Sequence, residues 1–282
     1  MTDKIKMIGL DLDGTLLTEK KEITARTRKV LREALDRGIV VLAATGRPLS
    51  GIPEEIRSFP GMRYALTSNG AKVVDVQEGR VIDEHLLDAG LAEKALEICA
   101  KYDTLQEAYF DGKSYAPLDK QDQIEKYHRN PNMWEYMRKT RIWVEDVMRL
   151  VTGSSTGPDK LQILFADMEE RLRAWDELSE VRGLELVGSL GYNIEINAAG
   201  VNKGTGLVRL GSLLGIRREE IMACGDGDND ALMLKEAGFG VAMANAVDKV
   251  KEAADYITLS NDEDGVAEAI EKFVLEGGKG KC

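Results

Sequence analysis

Short apolar runs alternate along the chain with amphipathic stretches, and polar turns separate them. The first run, KIKMIGL over Lys4 to Leu10, stops at Asp11-Leu12-Asp13-Gly14-Thr15 and predicts a strand ending in a polar loop. From Thr24 to Arg37, Val30, Leu31, Ala34 and Leu35 recur at helical spacing, and Gly38 follows as a C-cap signal. IVVLAA, from Ile39 to Ala44, is apolar at every position, which suits a parallel strand covered on both faces. It runs into Thr45-Gly46-Arg47-Pro48, then a short helix near Ser50 to Phe59 and a third strand around Tyr64 to Thr67.

The carboxyl-terminal part repeats this grammar. A helix around Gly204 to Leu214 leads to strand Ile221 to Cys224, the polar loop Gly225 to Asp230 and a helix to Ala237. Strand Gly240 to Met243, helix Val247 to Ala254, strand Tyr256 to Leu259 and helix Val266 to Val274 follow. Between the two stretches the order changes to a helix (Leu91 to Tyr102), a hairpin at Asp111-Gly112-Lys113, and polar helical stretches. Strand KLQILFA from Lys160, helix Met168 to Ser179 and two strands joined near Gly188-Ser189-Leu190-Gly191 close this segment. The pattern predicts an α/β fold, a doubly wound parallel sheet with an inserted α+β domain. Its expected boundaries are 1–84 with 196–282 for the discontinuous core and 85–195 for the insert. The Gly/Lys tail Gly277 to Cys282 is expected to fray.

At 282 residues, 43% hydrophobic and 31% charged, the composition is globular and excludes disordered, collagen-like and disulfide-stapled classes. The formal net charge of −11 repels nucleic-acid phosphates and anionic lipid, so neither is expected as a partner. The amino terminus lacks the apolar core of a secretion signal, and no stretch approaches the ~20 apolar residues needed to span a bilayer, so a cytoplasmic protein is expected. Cys99, Cys224 and Cys282 form no CxxC pair, which argues against a zinc site. With His85 and His128 the only histidines, carboxylates are left to do the chemistry.

In an open parallel sheet, ligands bind beyond the carboxyl ends of the strands. Three loops at that edge read Asp11-x-Asp13-Gly14-Thr15, Thr45-Gly46-Arg47 and Gly225-Asp226-Gly227-Asp228-Asn229-Asp230. Carboxylates packed this densely repel one another unless a cation intervenes, and an all-oxygen donor set favours Mg²⁺ completed by a substrate phosphate. An Asp can accept a phosphoryl group, and a second carboxyl two residues on lies on the same side of an extended segment, placed to move protons. Thr45 supplies a hydroxyl at a strand end.

Asp11-Leu12-Asp13-Gly14-Thr15-Leu16, Thr45-Gly46-Arg47-Pro48, Lys203-Gly204 and Gly225 to Asp230 resemble the four ordered motifs of the haloacid dehalogenase (HAD) superfamily. The long insertion, Ser68-Asn69-Gly70-Ala71 and the ending Asn261-Asp262-Glu263-Asp264-Gly265-Val266 resemble its Cof-type sugar-phosphate phosphatases. The resemblance implies a Rossmann-like core with an α+β cap domain that closes over the site. It implies Asp11 as nucleophile and Mg²⁺ ligand, and Asp13 as general acid/base that lends the metal its backbone carbonyl. It implies further that Thr45 and the Gly46 amide hold the phosphoryl group, which Lys203 neutralises, with Asn229 close to the substrate. Asp226 would ligate Mg²⁺, and Asp230 would ligate it or orient its waters. The expected activity is Mg²⁺-dependent hydrolysis of a small phosphorylated metabolite, a sugar phosphate, through phospho-Asp11, by a monomer or homodimer. Two readings share the same residues, a sugar phosphomutase and a catalytically silent binder of a phosphorylated ligand; the complete Asp11, Asp13, Lys203 and Asp226 set weighs against the second.

Several residues have plainer explanations. Asp228 reads as a solvated loop residue, and Cys224 as a core thiol. Arg47 suits a phosphate clamp and a loop anchor equally. His85 and His128 read as surface residues. Tyr109, Phe110 and Tyr115, like Trp134, Tyr136 and Trp143, read first as packing groups, with a substrate-facing role as the alternative.

Overall fold

The computed structural model describes residues 5–276; Lys4, at the start of the first expected strand, and the tail Gly277 to Cys282 lie outside the described residues. The chain divides into two compact units. The first takes the chain up to Gly46, Pro53–Asp83 and the chain from Asn202 onward; the second takes Arg47–Ile52 and Glu84–Val201. Among the described residues, no helix is long and apolar enough to cross a membrane.

The first unit is built on one sheet. From edge to edge its strands are Tyr256–Ile257, Phe239–Ala242, Ile221–Gly225, Met7–Leu10, Val40–Ala44, Tyr64–Thr67, Lys72–Asp75 and Arg80–Glu84. The six from Tyr256–Ile257 to Tyr64–Thr67 run parallel, the arrangement that the unbroken apolar runs require. Met7, Ile8 and Leu10 are fully buried in the central strand. Helix Ala25–Asp36 starts where the Thr24 hydroxyl accepts the Thr27 N–H, and it buries Val30, Leu31 and Ala34. Full burial of a side chain such as Leu31 contributes about 2 kcal/mol. Lys72–Asp75 folds back antiparallel onto Tyr64–Thr67. The sequence pattern does not announce the last strand, because RVIDE sits at the edge with no buried residue and so carries no apolar signal.

The second unit holds a six-stranded sheet, in the order Leu184–Val187, Asn193–Ala198, Lys160–Phe165, Thr104–Phe110, Lys113–Pro117 and Ile142–Val144. All neighbours are antiparallel except the last pair. Asp111 and Gly112 turn the hairpin with φ of 48° and 70°, the two positive values that a type I′ turn needs. Ala108, Leu161, Ile163, Phe165, Ile194 and Ile196 pack with residues of helices Ala89–Cys99, Val147–Gly153 and Met168–Ser179. The opposite face is mixed: Leu105 and Leu164 pack with Ile124, Tyr127 and Met137, and the remaining positions include buried charges. Lys160 pairs with Glu195 at 2.6 Å and Arg141 with Glu107 at 2.8 Å, all four side chains being buried.

Two expectations need correction here. Residues 196–198 complete strand Asn193–Ala198, so the second unit extends to Val201 instead of stopping at 195. His128 is not a surface residue: its ring meets Tyr192 edge-on at 5.6 Å, and burial pushes its pKa down. His85 is exposed.

Candidate active site

Sheet register explains why distant motifs meet. Leu10 pairs with Cys224 on one side and Ala43 on the other, so Asp11, Thr45 and Asp226 leave the sheet at the same edge. The Asp11 N–H donates to the Cys224 carbonyl at 3.0 Å, and the chain then turns so that Leu16 N–H returns to the Asp11 carbonyl at 3.1 Å. Gly14 makes this turn with φ +86°, and a Cβ there would lie 2.3 Å from Asp226 Oδ2. The position therefore requires glycine twice over, for conformation and for space. Thr15 Oγ1 donates to Asp226 Oδ1 at 2.7 Å, tying the first loop to the last.

Asp11, Asp226 and Asp230 each place a carboxylate oxygen within 4.8 Å of the others, a grouping able to hold a metal ion. Lys203 opens helix Lys203–Leu213, which Asn202 caps by accepting the Thr205 N–H at 3.0 Å. Its Nζ reaches Asp11 Oδ1 at 2.6 Å and Asp230 Oδ1 at 2.7 Å. Asp230 Oδ2 accepts the Asp226 and Gly227 N–H groups at 3.0 Å each, so both its oxygens are engaged within the fold.

Three carboxylates thus lie together with one ammonium group that bonds two of them, and the electrostatics follow. Burial, reinforced by Asp230, Asp226 and Asp13, raises the Asp11 pKa well above the usual carboxylate value despite Lys203. Burial and Asp230 push Asp226 up to about 6. Burial opposes the charge on Lys203, but Asp11 and Asp230 outweigh it, so its pKa is raised and it stays protonated. A bound cation would relieve the strained carboxylates without displacing the lysine.

The other expected residues fall into place unevenly. The Asp13 carboxylate is outside the three-acid grouping and meets Lys21 Nζ at 2.6 Å, with both side chains partly exposed. Thr45 is buried; its N–H donates to the Leu66 carbonyl at 2.9 Å, and its carbonyl accepts the Asn69 N–H at 3.0 Å. Asn229 Nδ2 donates to Asn69 Oδ1 at 3.4 Å. Gly46 follows Thr45 at the end of the first segment of this unit. Arg47 belongs to the second unit, where Nη1 donates to the Gly51 carbonyl at 2.8 Å and the guanidinium stands 5.6 Å over the Tyr136 ring. Asp228 is exposed. Cys224 is buried, which pushes its thiol up to about 12. Sequence reasoning gave no role to Lys21, Thr15, Asn69 or Asn245, whose Nδ2 donates to the Gly14 carbonyl at 2.8 Å. Contacts spanning 231 residues leave no local signal.

With this geometry in place, the similarities to known proteins are specific. Residues 8–270 match the family model of haloacid dehalogenase-like hydrolases. The 5-amino-6-(5-phospho-D-ribitylamino)uracil phosphatase YcsE of Bacillus subtilis (strain 168) is 35% identical over 280 residues, 96% of each chain. YitU of the same organism, a phosphatase of the same name, is 31% identical over 97% of this chain and 99% of its own. The structure of a haloacid dehalogenase-like hydrolase from B. subtilis superposes with a TM-score of 0.83 at 29% identity, covering 96% of this chain and 100% of that one. The chain belongs to the haloacid dehalogenase-like hydrolases, in their Cof-type branch, and is a phosphoric monoester hydrolase.

Proposed function

We propose that the chain is a Mg²⁺-dependent phosphatase that hydrolyses a small phosphorylated metabolite, a sugar or polyol phosphate, through a phospho-Asp11 intermediate. The observation that carries this reading is the grouping of the Asp11, Asp226 and Asp230 carboxylates, two of which, Asp11 and Asp230, are bonded by Lys203 Nζ. Asp11, Asp226 and the Asp13 carbonyl would hold the metal. Asp230, whose oxygens already receive Lys203 and two backbone N–H groups, fits orienting it better than direct ligation. Mg²⁺ bound there would supply positive charge to the phosphoryl oxygens and to the crowded carboxylates.

The residues act in two stages. Asp11 attacks phosphorus and the ester P–O bond breaks, while Asp13 gives its proton to the leaving oxygen. Water then attacks the phosphorus of phospho-Asp11 as Asp13 takes up its proton, and the P–O bond to Asp11 breaks to release inorganic phosphate and the free carboxylate. Lys203 neutralises charge on the phosphoryl group, and Thr45 with the Gly46 amide orients it. Asn229 contacts the substrate. The Gly51 contact of Arg47 favours its role as a loop anchor. The second unit is the cap domain. The polyol phosphate class is supported by the names of YcsE and YitU, whose substrate carries a 5-phospho-D-ribityl group.

The test is phosphate release from a panel of phosphorylated sugars, polyols and nucleotides, with and without Mg²⁺, using Asp11→Asn as the blank. Metal-dependent release that disappears in the blank is expected. Release in excess chelator, or transfer of the phosphoryl group to a second sugar hydroxyl, would contradict the reading.

A further inference from the structure

Ser68, Asn69 and Gly70 are three successive residues with left-handed backbone, at φ of 50°, 60° and 88°. Two of them carry side chains, which resist this conformation, and such strain persists only where the surroundings over-determine it. All three residues are buried.

The restraints run to the site already described. The Asn69 N–H donates to the Thr45 carbonyl at 3.0 Å, and Asn69 Oδ1 accepts Asn229 Nδ2 at 3.4 Å. Arg209, itself paired with Asp83 at 2.7 Å, donates to the Gly70 carbonyl at 2.5 Å. A Cβ on Gly70 would lie 2.5 Å from the carbonyl oxygen of Asn202, the cap of the helix that opens with Lys203. One turn therefore joins Thr45, Asn229 and the start of the Lys203 helix, and Asn69 makes two of its connections.

We propose that Asn69 is a positioning residue for phosphoryl transfer: its left-handed backbone fixes Thr45 through the carbonyl, and its amide oxygen sets the orientation of Asn229. This rests on the roles given above to Thr45 and Asn229. Asn69 is 2% exposed and acts through these two neighbours. The strain has a function under this account, since only a left-handed residue bearing an acceptor can bond to both.

The test is a double-mutant cycle of Asn69→Gly with Asn229→Ala, read as kcat and KM in the presence of Mg²⁺. Glycine keeps the left-handed backbone without strain and deletes only the amide, so the melting temperature should hold. The expected loss in kcat is about tenfold, with little change in KM, and the double variant should be no slower than Asn229→Ala alone. A wild-type rate in Asn69→Gly, or losses that simply multiply, would overturn the proposal. Should the glycine variant not fold, Asn69→Ser, which withdraws the acceptor from Asn229, takes its place in the same cycle with the same expectation. Asp11→Asn is run alongside: activity that survives there overturns the phospho-Asp11 reading and this proposal with it, whereas a dead Asp11→Asn beside an unaffected Asn69→Gly overturns this proposal alone.

Discussion

The two units bury charge in opposite ways. In the second, each buried cation has its own carboxylate: Lys160 with Glu195, Arg141 with Glu107. In the first, Asp11, Asp226 and Asp230 gather within 4.8 Å of one another, and Lys203 pairs with two of them, Asp11 and Asp230. A matched pair satisfies itself and needs nothing further, although its desolvation makes it weak evidence for stability. An unmatched cluster raises the free energy of the empty protein and is tolerable only if something else supplies positive charge. Here burial first, and the neighbouring carboxylates after it, raise the pKa values of Asp11 and Asp226. Imbalance, more than burial, distinguishes a working site from a structural ion pair.

Substitutions that change the balance on each side should behave differently. Asp11→Asn removes the nucleophile and one of the crowded charges, so turnover should fall on the order of a thousandfold or more while the melting temperature is kept. A folded Asp11→Asn protein with appreciable turnover would show that the imbalance serves some other purpose.

Lys203→Met leaves Asp11 and Asp230 buried with no cation, at a cost of about 3–5 kcal/mol in urea unfolding in chelator, and activity should be lost too. Lys160→Met should cost a similar amount by removing the cation paired with Glu195, to which Ser189 and Asn193 also donate. The matched pair has a remedy that the site lacks: the double variant Lys160→Met with Glu195→Leu should recover most of that loss, and unfolding curves for the three variants test it. A double variant as unstable as the single would mean that the pair is more than self-satisfying.

A smaller effect concerns pH. Because the folded-state pKa of Asp226 is raised to about 6, and that of Asp11 is raised in the same direction, their contribution to stability is present below the ordinary carboxylate pKa and is lost as pH rises through about 6. Metal-free protein should therefore melt at a lower temperature at pH 7 than at pH 5, and Mg²⁺ should flatten the dependence. Equal slopes with and without Mg²⁺, measured by thermal melts, would argue against a cation site at these carboxylates.

The sequence made the two regions unequally legible. Strands Met7–Leu10 and Val40–Ala44 announce themselves because parallel strands buried on both faces are uninterrupted apolar runs. The loops of Asp11, Asp226 and Asp230 stand out because each follows such a strand, whereas Lys203 enters only through the resemblance to the family's motifs. The pairs Lys160–Glu195 and Arg141–Glu107 do not stand out, since their partners are 35 and 34 residues apart and nothing local marks them. In the sequence His128 reads as a surface residue for the same reason: Tyr192, which meets its ring, is 64 residues away. Edge strand Arg80–Glu84 is silent because none of its residues is buried and only Val81 and Ile82 are apolar. Asn69 lies within the Ser68-Asn69-Gly70-Ala71 motif, but its left-handed backbone and its bond to Asn229, 160 residues on, emerge only from the fold.

The most direct test of the central claim is to quench the enzyme during turnover with borohydride, which reduces an acyl phosphate to an alcohol, and to map the modified residue by peptide mass spectrometry. Conversion of Asp11 to homoserine, dependent on substrate and Mg²⁺, is the predicted result; sustained turnover with Asp11 unmodified and another carboxylate reduced in its place would contradict the account.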